Sequence, residues 1–423
     1  MRNFVIMKIP QININDYNYY LPSERIAQFP LQERDNSKLL FADCSSKSIE
    51  HYYFRDIPGI IPSESLLIRN DTKVFPARLY VLKPTGGNVE ILIESPVSHL
   101  EPQIALKEQG PQSWLCTVRG KHLHEGLDLR GDFFSDKYGK LILNAKILEV
   151  KEGKRVIEFT WEPGNLAFAD FLDIIGKVPL PPYIHRVALE SDTNTYQTVF
   201  AKVEGSIAAP TAGLHFTPNV AENLAEKGIQ TIDITLHVGS GTFAPMKSDN
   251  VEGHSMHYEQ FSVNLAKLEI LHKYLNDNKL SEIKRRIIST GTTTTRTLET
   301  LYWLGMKVHL GKTKNLNDFR QWDWAELNDE NLLNPADAIE EFANYLHKLN
   351  IKNFQGETSM FIVPGYDFKI INGLITNFHL PKSTLLLLIA SFAGSDFYKK
   401  IYTSALENDY RFLSYGDSSI LFR

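Results

Sequence analysis

Residues 217–242 read TPNVAENLAEKGIQTIDITLHVGSGT, a helix and then a strand with almost nothing between them. Thr217 is placed to N-cap the helix, Pro218 fits its first turn, and Gly228 ends it. In the strand, Ile232, Ile234, Leu236 and Val238 share one face, while Asp233, Thr235 and His237 share the other. The pattern recurs downstream. KRRIISTG (284–291) is a strand followed by a helix through TRTLETLYWLG, and GLITNFHLPKST (373–384) is a strand and loop followed by LLLLIASFAG. That last segment is apolar all round and is therefore a buried helix. Alternating strands and helices predict a mixed α/β sheet packed with helices, and no fixed-period repeat is present.

Working outward, the character changes between Ala77 and about Pro163. ARLYVLK, NVEILIE, SWLCTVRG, KLILNAKILEV and RVIEFTW are short alternating runs separated by TGG, SDKYG and EGK. These predict antiparallel strands of a small barrel or sandwich, a separate domain. Before it, short strands and turns run to Pro76, with Ser23 placed to cap a short helix over Arg25 to Gln28. The stretch from about 309 to 355 looks inserted. Its NPADAIEEFANYLHKLN is one amphipathic helix, capped by Asn334, opened by Pro335, and apolar along Ile339, Phe342, Leu346 and Leu349. A lid, a partner surface and a structural decoration all fit it, the last most simply.

The 423 residues are 43% hydrophobic and 22% charged, an ordinary balance for a folded chain of two or three domains. Cys44 and Cys116 are the only cysteines, which excludes a disulfide framework or a four-cysteine zinc site. MRNFVIMKIPQ is too short in its apolar run for a signal peptide, and LLLLIASFA at 385–393 is too short to cross a bilayer. The expected setting is the reducing cytoplasm, with no membrane contact. A net charge of −5 does not announce a nucleic-acid binder. Any RNA contact must come from local runs such as Lys284, Arg285 and Arg286, or Lys399 and Lys400.

Chemistry gathers at the strand ends. His237 precedes the Gly-Ser-Gly turn, His379 precedes Ser383 and Thr384, and Gly291 opens a run of threonines leading into Arg296 and Glu299. EGSIAAPTAGLHFT (204–217) sets small residues, including Thr211 and Gly213, just before His215 and a helix start. Ligands of open α/β sheets sit beyond the carboxyl ends of strands, where helix-start amides lie free. If these ends converge, His215, His237, His379, Thr211 and Arg296 line one crevice. The bland reading of Arg296 and Glu299, i and i+3 on one helix, is a surface pair. HSMH (254–257) has metal-ligand spacing but no evident third ligand. No GxGxxG, P-loop or GxSxG is present. The residues alone thus predict an enzyme with a histidine-lined pocket for a polar organic ligand.

The ordered motifs go further. LPSERIAQFPLQERDNSKLL, NDTKVFPARL, GKVPLPPYI, YQTVFAKVEGSIAAPTAGLHFT, LHVGSGTFAP, HSMHYE, GTTTTRTLET, FIVPGYDF, GLITNFHLPKSTLLLLIASFAG and YRFLSYGD closely resemble the S-adenosylmethionine:tRNA ribosyltransferase-isomerase family of queuosine biosynthesis. The resemblance covers the chain except the first dozen residues and the 309–355 stretch, and it is weaker across the β domain. It implies an α/β domain (1–76 and 164–423) interrupted by a small antiparallel β-barrel (77–163). It further implies transfer and isomerisation of the ribosyl part of S-adenosylmethionine onto 7-aminomethyl-7-deazaguanine at the tRNA wobble position. The product is epoxyqueuosine, with adenine and methionine released. S-adenosylmethionine is then a co-substrate, no metal or redox cofactor is needed, and the partner is a tRNA anticodon loop met by a monomer.

Such chemistry needs an acid for the leaving adenine and a base for the proton beside the sulfonium, tasks that suit histidine. His215 and His237, then His379 and His257, are the catalytic candidates, with acid and base unassigned. Thr211 and Gly213 would border the ligand, Glu299 would face a cation, Arg296 or Arg78 would hold a carboxylate or phosphate, and Tyr366 or Tyr415 would stack on the splayed base. The chain departs from the family pattern at Lys382, where Glu is usual, at Asn372 for Asp, and at Ser418 and Ser419 for Ala-Met. These departures leave room for a same-fold transferase with another acceptor, or a catalytically silent tRNA-binding paralogue.

Overall fold

The computed structural model describes residues 9–98, 101–151, 153–239, 241, 246, 248–280, 285–328 and 331–423. The first eight residues, Lys284 of the basic run, and Ser240 and Thr242 of the Gly-Ser-Gly-Thr turn lie outside the described residues.

The strands before and within the β domain are β1 Lys38–Asp43, β2 Ser48–Tyr53, β3 Leu66–Asn70, β4 Thr72–Val74, β5 Arg78–Leu82, β6 Asn88–Pro96, β7 Gln112–Arg119, β8 Asp128–Ser135, β9 Gly139–Lys151 and β10 Lys154–Glu162. After it come β11 Val203–Ser206, β12 Gln230–His237, β13 Glu259–Asn264, β14 Ile287–Thr290, β15 Asp318–Phe319, β16 Asn353–Thr358, β17 Gly373–Asn377 and β18 Ser418–Phe422. The longer helices are α1 Phe168–Ile175, α2 Pro218–Glu226, α3 Leu265–Leu280, α4 Thr292–His309, α5 Pro335–Lys348, α6 Thr384–Ala393 and α7 Phe397–Glu407.

Ten strands form one sheet in the order β15-β16-β13-β12-β3-β14-β17-β18-β1-β2. Its centre, β12-β3-β14-β17, is parallel throughout, so these four strands end on one edge. Alternation in the sequence decides the faces. Ile232, Ile234 and Leu236 of β12 are buried in the larger core, while Leu67, Ile288, Ile375 and Ile420 line the opposite core with Phe216, Val220 and Leu224. Helix α2 is built as its sequence predicts: Thr217 accepts from the Val220 amide, Pro218 opens the helix, and Gly228 lies just beyond it at φ +76°.

The second unit is a closed antiparallel barrel, β10-β7-β6-β5-β8-β9, with its own core around Trp114, Phe159 and Phe168. The sixth strand, β8, is one the sequence reading passed over, because Gly131 and Asp132 blur its alternation. The Phe133 ring packs over Gly131, where a Cβ would fall 2.5 Å from it.

Three local expectations are corrected. Ser23 begins a 3-10 turn, Ser23–Arg25, with Pro22 at the N-cap position and no side-chain cap bond. The helix after the threonine run continues through Gly305 to His309. Gly305 is interior because α5 passes so close that a Cβ would lie 1.9 Å from the Ala338 carbonyl oxygen. Finally, the 309–355 stretch is no appendage. β15 pairs with β16 at the end of the main sheet, and Ile339, Phe342 and Leu346 of α5 are fully buried in the main core. Leu349, read as part of that apolar face, is 49% exposed, because it lies just past the last helical residue.

Candidate active site

The carboxyl edge of the central strands collects the polar residues. β12 ends at His237, β14 at Thr290 and β17 at Asn377, with His379 two residues on. The first and last of these strands are three spacings apart, about 14 Å. His237 and the His215–Asn377 pair therefore share an edge but do not share a crevice.

His237 is partly buried and has a partner at each ring nitrogen. Thr72 Oγ1 lies 2.9 Å from Nδ1, and Oε1 of Gln103, from the barrel's turn Pro102–Ala105, lies 3.1 Å from Nε2. Its place is carved by Gly205, whose φ is +141° and whose Cβ would stand 2.7 Å from His237 Cε1. Gly205 belongs to the small-residue stretch 204–217, so that stretch serves a histidine other than its own. Burial brings the His237 imidazole down to about 4, hence neutral near pH 7. It borders a cavity of about 310 Å³ between sheet edge and barrel, lined also by Glu101, Gln103, Gln260, Asn317 and Glu357. Burial pushes the Glu101 carboxyl up. That volume is at the lower end of small-molecule sites.

His215 is 4% exposed and sits at a crevice of only about 20 Å³, room for a water rather than a substrate. Nδ1 lies 2.8 Å from Ser37 Oγ and Nε2 3.2 Å from the Asn377 amide, with the Phe54 ring 5.1 Å away. An amide donor at Nε2 assigns the proton to Nδ1. Burial, then Arg411 and Arg34, bring its imidazole down to about 3. His379 is 8% exposed, with Thr376 Oγ1 2.9 Å from Nε2, and burial brings it to about 3 as well. His257 is exposed, and its ring lies over Gly241, where a Cβ would fall 2.3 Å from Cδ2.

The remaining candidates divide. Arg296 and Glu299 are 4% and 0% exposed, so neither belongs to a surface pair. Arg296 Nη2 makes a short charge-assisted bond to Glu259. Glu299 accepts from Tyr366 Oη at 2.7 Å and from the amides of Lys369, Ile370 and Ile371 at 2.8, 3.0 and 3.2 Å. Four donors fill this carboxylate, which holds the 366–371 loop and has no face left for a substrate cation.

Tyr366 is packed edge-on against Trp324 and Phe368, so it offers no ring to a splayed base. Tyr415 borders the His215 crevice, but it is 4% exposed and its hydroxyl donates to Asp192. Gly213 makes room for Phe200 and Thr198, whose atoms would meet its Cβ at 2.8 and 2.9 Å, rather than for a ligand. Thr211 starts a 3-10 turn, Thr211–Gly213, whose Ala212 lies 3.8 Å from the Cβ position of Gly291. Arg78 pairs with Glu90 at 3.1 Å and lines a separate cavity of about 390 Å³ with Arg119, Tyr80 and Pro179–Pro182.

Gln103, Gln260, Thr72, Glu101 and Glu259 were missed. Thr72 belongs to NDTKVFPARL, a motif read only as a family mark; Gln103 lies in the barrel, where the sequence carries little motif content. Asn372, a departure from the family pattern, accepts from the Ile287 amide at 2.8 Å before β17, at the opposite sheet edge. Lys382 bonds Asn15 at 2.7 Å. Among the described residues, no group of three or more His, Cys, Asp or Glu side chains could hold a metal, and no helix is long and apolar enough to cross a membrane.

An α/β sheet with histidines on its carboxyl edge, and a barrel whose glutamine reaches the first of them, leaves a polar cavity between sheet and barrel, the layout of a two-domain enzyme. The chain belongs to the family described as queuosine biosynthesis protein, whose model matches residues 14–421. S-adenosylmethionine:tRNA ribosyltransferase-isomerase of Thermotoga petrophila is 37% identical over 412 residues, covering 97% of this chain and all of its own. The protein of the same description from Natranaerobius thermophilus is 36% identical over 413 residues, covering 97% of this chain and 99% of its own. A solved structure of S-adenosylmethionine tRNA ribosyltransferase from Thermotoga maritima covers 96% of this chain and all of its own at 29% identity, with a TM-score of 0.45. The chain is accordingly a transferase-isomerase of tRNA modification.

Proposed function

We propose that the chain transfers and isomerises the ribosyl moiety of S-adenosylmethionine onto the aminomethyl group of 7-aminomethyl-7-deazaguanine in a tRNA anticodon loop, giving epoxyqueuosine, adenine and methionine. The observation that carries the reading is His237, a neutral imidazole on the wall of a polar cavity between barrel and sheet edge. A base for the proton beside the sulfonium must be unprotonated near pH 7, and burial keeps this imidazole so. Thr72 fixes the ring from Nδ1, and Gln103 Oε1 accepts from Nε2–H, so in this reading Nε2 becomes the base once the proton moves to Nδ1 and the Gln103 amide turns.

Glu101 and Glu357 put two carboxyl groups on the same cavity, which suits a cationic aminomethyl group. His215 and His379 are enclosed by their partners, and in this reading they hold the strand edge rather than move protons. Asn372 and Lys382 bond away from the His237 cavity, which supports the ordinary acceptor of the family.

The test is to incubate the protein with S-adenosylmethionine and tRNA carrying the aminomethyl base, then analyse nucleosides and free adenine by mass spectrometry. Epoxyqueuosine and adenine are expected in equal amounts. His237→Gln, which keeps a polar side chain in the slot beside Gly205, should lower turnover at least about 100-fold with little change in melting temperature. Tight tRNA binding with no adenine from the wild type would refute the reading.

A further inference from the structure

Helix α4 begins in a way that its own residues do not complete. Its N-cap is Gly291, with φ +92° and no side chain to offer, and among the described residues no acceptor meets the amides of Thr292, Thr293 and Thr294. These three residues are 6%, 7% and 0% exposed, so bulk water does not readily satisfy them. A buried helix start without acceptors is a ready anion site.

A second, independent observation points the same way. Arg296 is 4% exposed, yet among the described residues its Nε and Nη1 have no partner, Glu259 taking only Nη2. A helical side chain leans toward the N-terminus of its helix, which sets this guanidinium over the first turn of α4. The hydroxyls of Thr290 and Thr294, 2% and 0% exposed, are also without a partner among the described residues. Their neighbours behave differently: Thr295 and Thr297 return their hydroxyls to the Gly291 and Thr293 carbonyls at 3.1 and 3.2 Å. Leaving a buried polar group unpaired destabilises a fold, so the idle donors at one helix start imply an acceptor that arrives with a ligand.

We propose that the start of α4 is an oxyanion site that takes the carboxylate at the amino-acid end of S-adenosylmethionine, held by Arg296, Thr290, Thr294 and the free amides. This assignment rests on the reaction proposed above. The Arg296–Glu259 pair is neutral overall, so attraction comes from the helix terminus, equivalent to roughly half a positive charge, and from the donors. Burial selects the source. A phosphate within an RNA backbone cannot bring its chain to side chains 0–7% exposed, whereas the tip of a small molecule can. Position agrees as well: β14 lies two strand spacings, about 10 Å, from His237 on β12. An amino-acid tail and a nucleoside can span that interval along the edge.

The experiment compares S-adenosylmethionine with its decarboxylated analogue by calorimetric titration, on the wild type and on Thr294→Val, and measures tRNA affinity in parallel. Arg296→Gln is added as a second variant; since it breaks the ion pair with Glu259, Thr294→Val, nearly equal in shape, keeps the test independent of that pair. The wild type should bind the carboxylated ligand about 10- to 100-fold more tightly than the analogue. Each variant should narrow that ratio, and tRNA affinity should stay unchanged. A wild type that binds both ligands equally overturns the carboxylate site alone. A wild type that binds neither overturns the proposed reaction together with it. A variant that keeps the full ratio but weakens tRNA overturns the choice of ligand.

Discussion

Four histidines share motifs of similar appearance, and their surroundings separate them. Both histidines have a partner at each ring nitrogen, but His237 borders a cavity of about 310 Å³ on its Gln103 side, whereas His215 has about 20 Å³ beside it. A proton carrier needs access to a substrate, and a strut needs partners. His215→Ala should therefore act first on stability. It opens a void beside Phe54 and leaves Ser37 and Asn377 without their partner, which should cost about 2–4 kcal/mol. Urea denaturation of the variant should show the loss, and the turnover of its remaining folded fraction should stay within about tenfold of wild type. A variant of full stability and no turnover would return His215 to the chemistry.

At the scale of elements, the lesson is drawn by the 309–355 stretch. Its helix was legible residue by residue: Asn334 caps by accepting from the Asp337 amide, Pro335 opens, and Ile339, Phe342 and Leu346 face inward. Its belonging to the main core was not legible, because that depends on β15 joining β16 and on Gly305 letting α5 close upon α4. Periodicity reports which face is apolar, but it does not report what covers that face.

The same limit explains the site. His237 was found because a strand alternates up to it, whereas Gln103 lies in a barrel turn distant in sequence. Glu299 and Tyr366 were read as ligand contacts because their motifs are striking in composition, yet they satisfy each other. The consequence for α5 is measurable. Phe342→Ala, which removes a fully buried ring 5.0 Å from Phe354, should lower stability by about 3–5 kcal/mol. Leu349→Ala, three residues past Leu346 and half exposed, should cost less than about 0.5 kcal/mol. Similar small losses for both would make this stretch the decoration its sequence first suggested.

Across the whole molecule, the two domains meet where barrel and sheet edge enclose His237, and the histidines along that edge give the fold a pH dependence. His215 and His379 titrate near 3 and His237 near 4, each lowered chiefly by burial. In the unfolded chain they return to about 6.5. Below 6.5 the unfolded state thus takes up protons that the folded state refuses, and stability falls with pH. The contribution is complete above about pH 7 and is lost as pH drops toward the folded values. Each histidine contributes about 1.4 kcal/mol per pH unit across that window, so the three together remove up to about 4 kcal/mol between pH 7.5 and 5.5. Asp71, Asp173 and Glu101 have the opposite sense: burial raises their carboxyl values, so folding favours their protonation and they offset part of the loss from the acid end. Urea midpoints taken at pH 7.5, 6.5 and 5.5 should therefore descend, most steeply over the last unit. A midpoint that stays level would mean that all three imidazoles accept protons inside the fold, and with that the enclosure that keeps His237 a neutral imidazole would be gone.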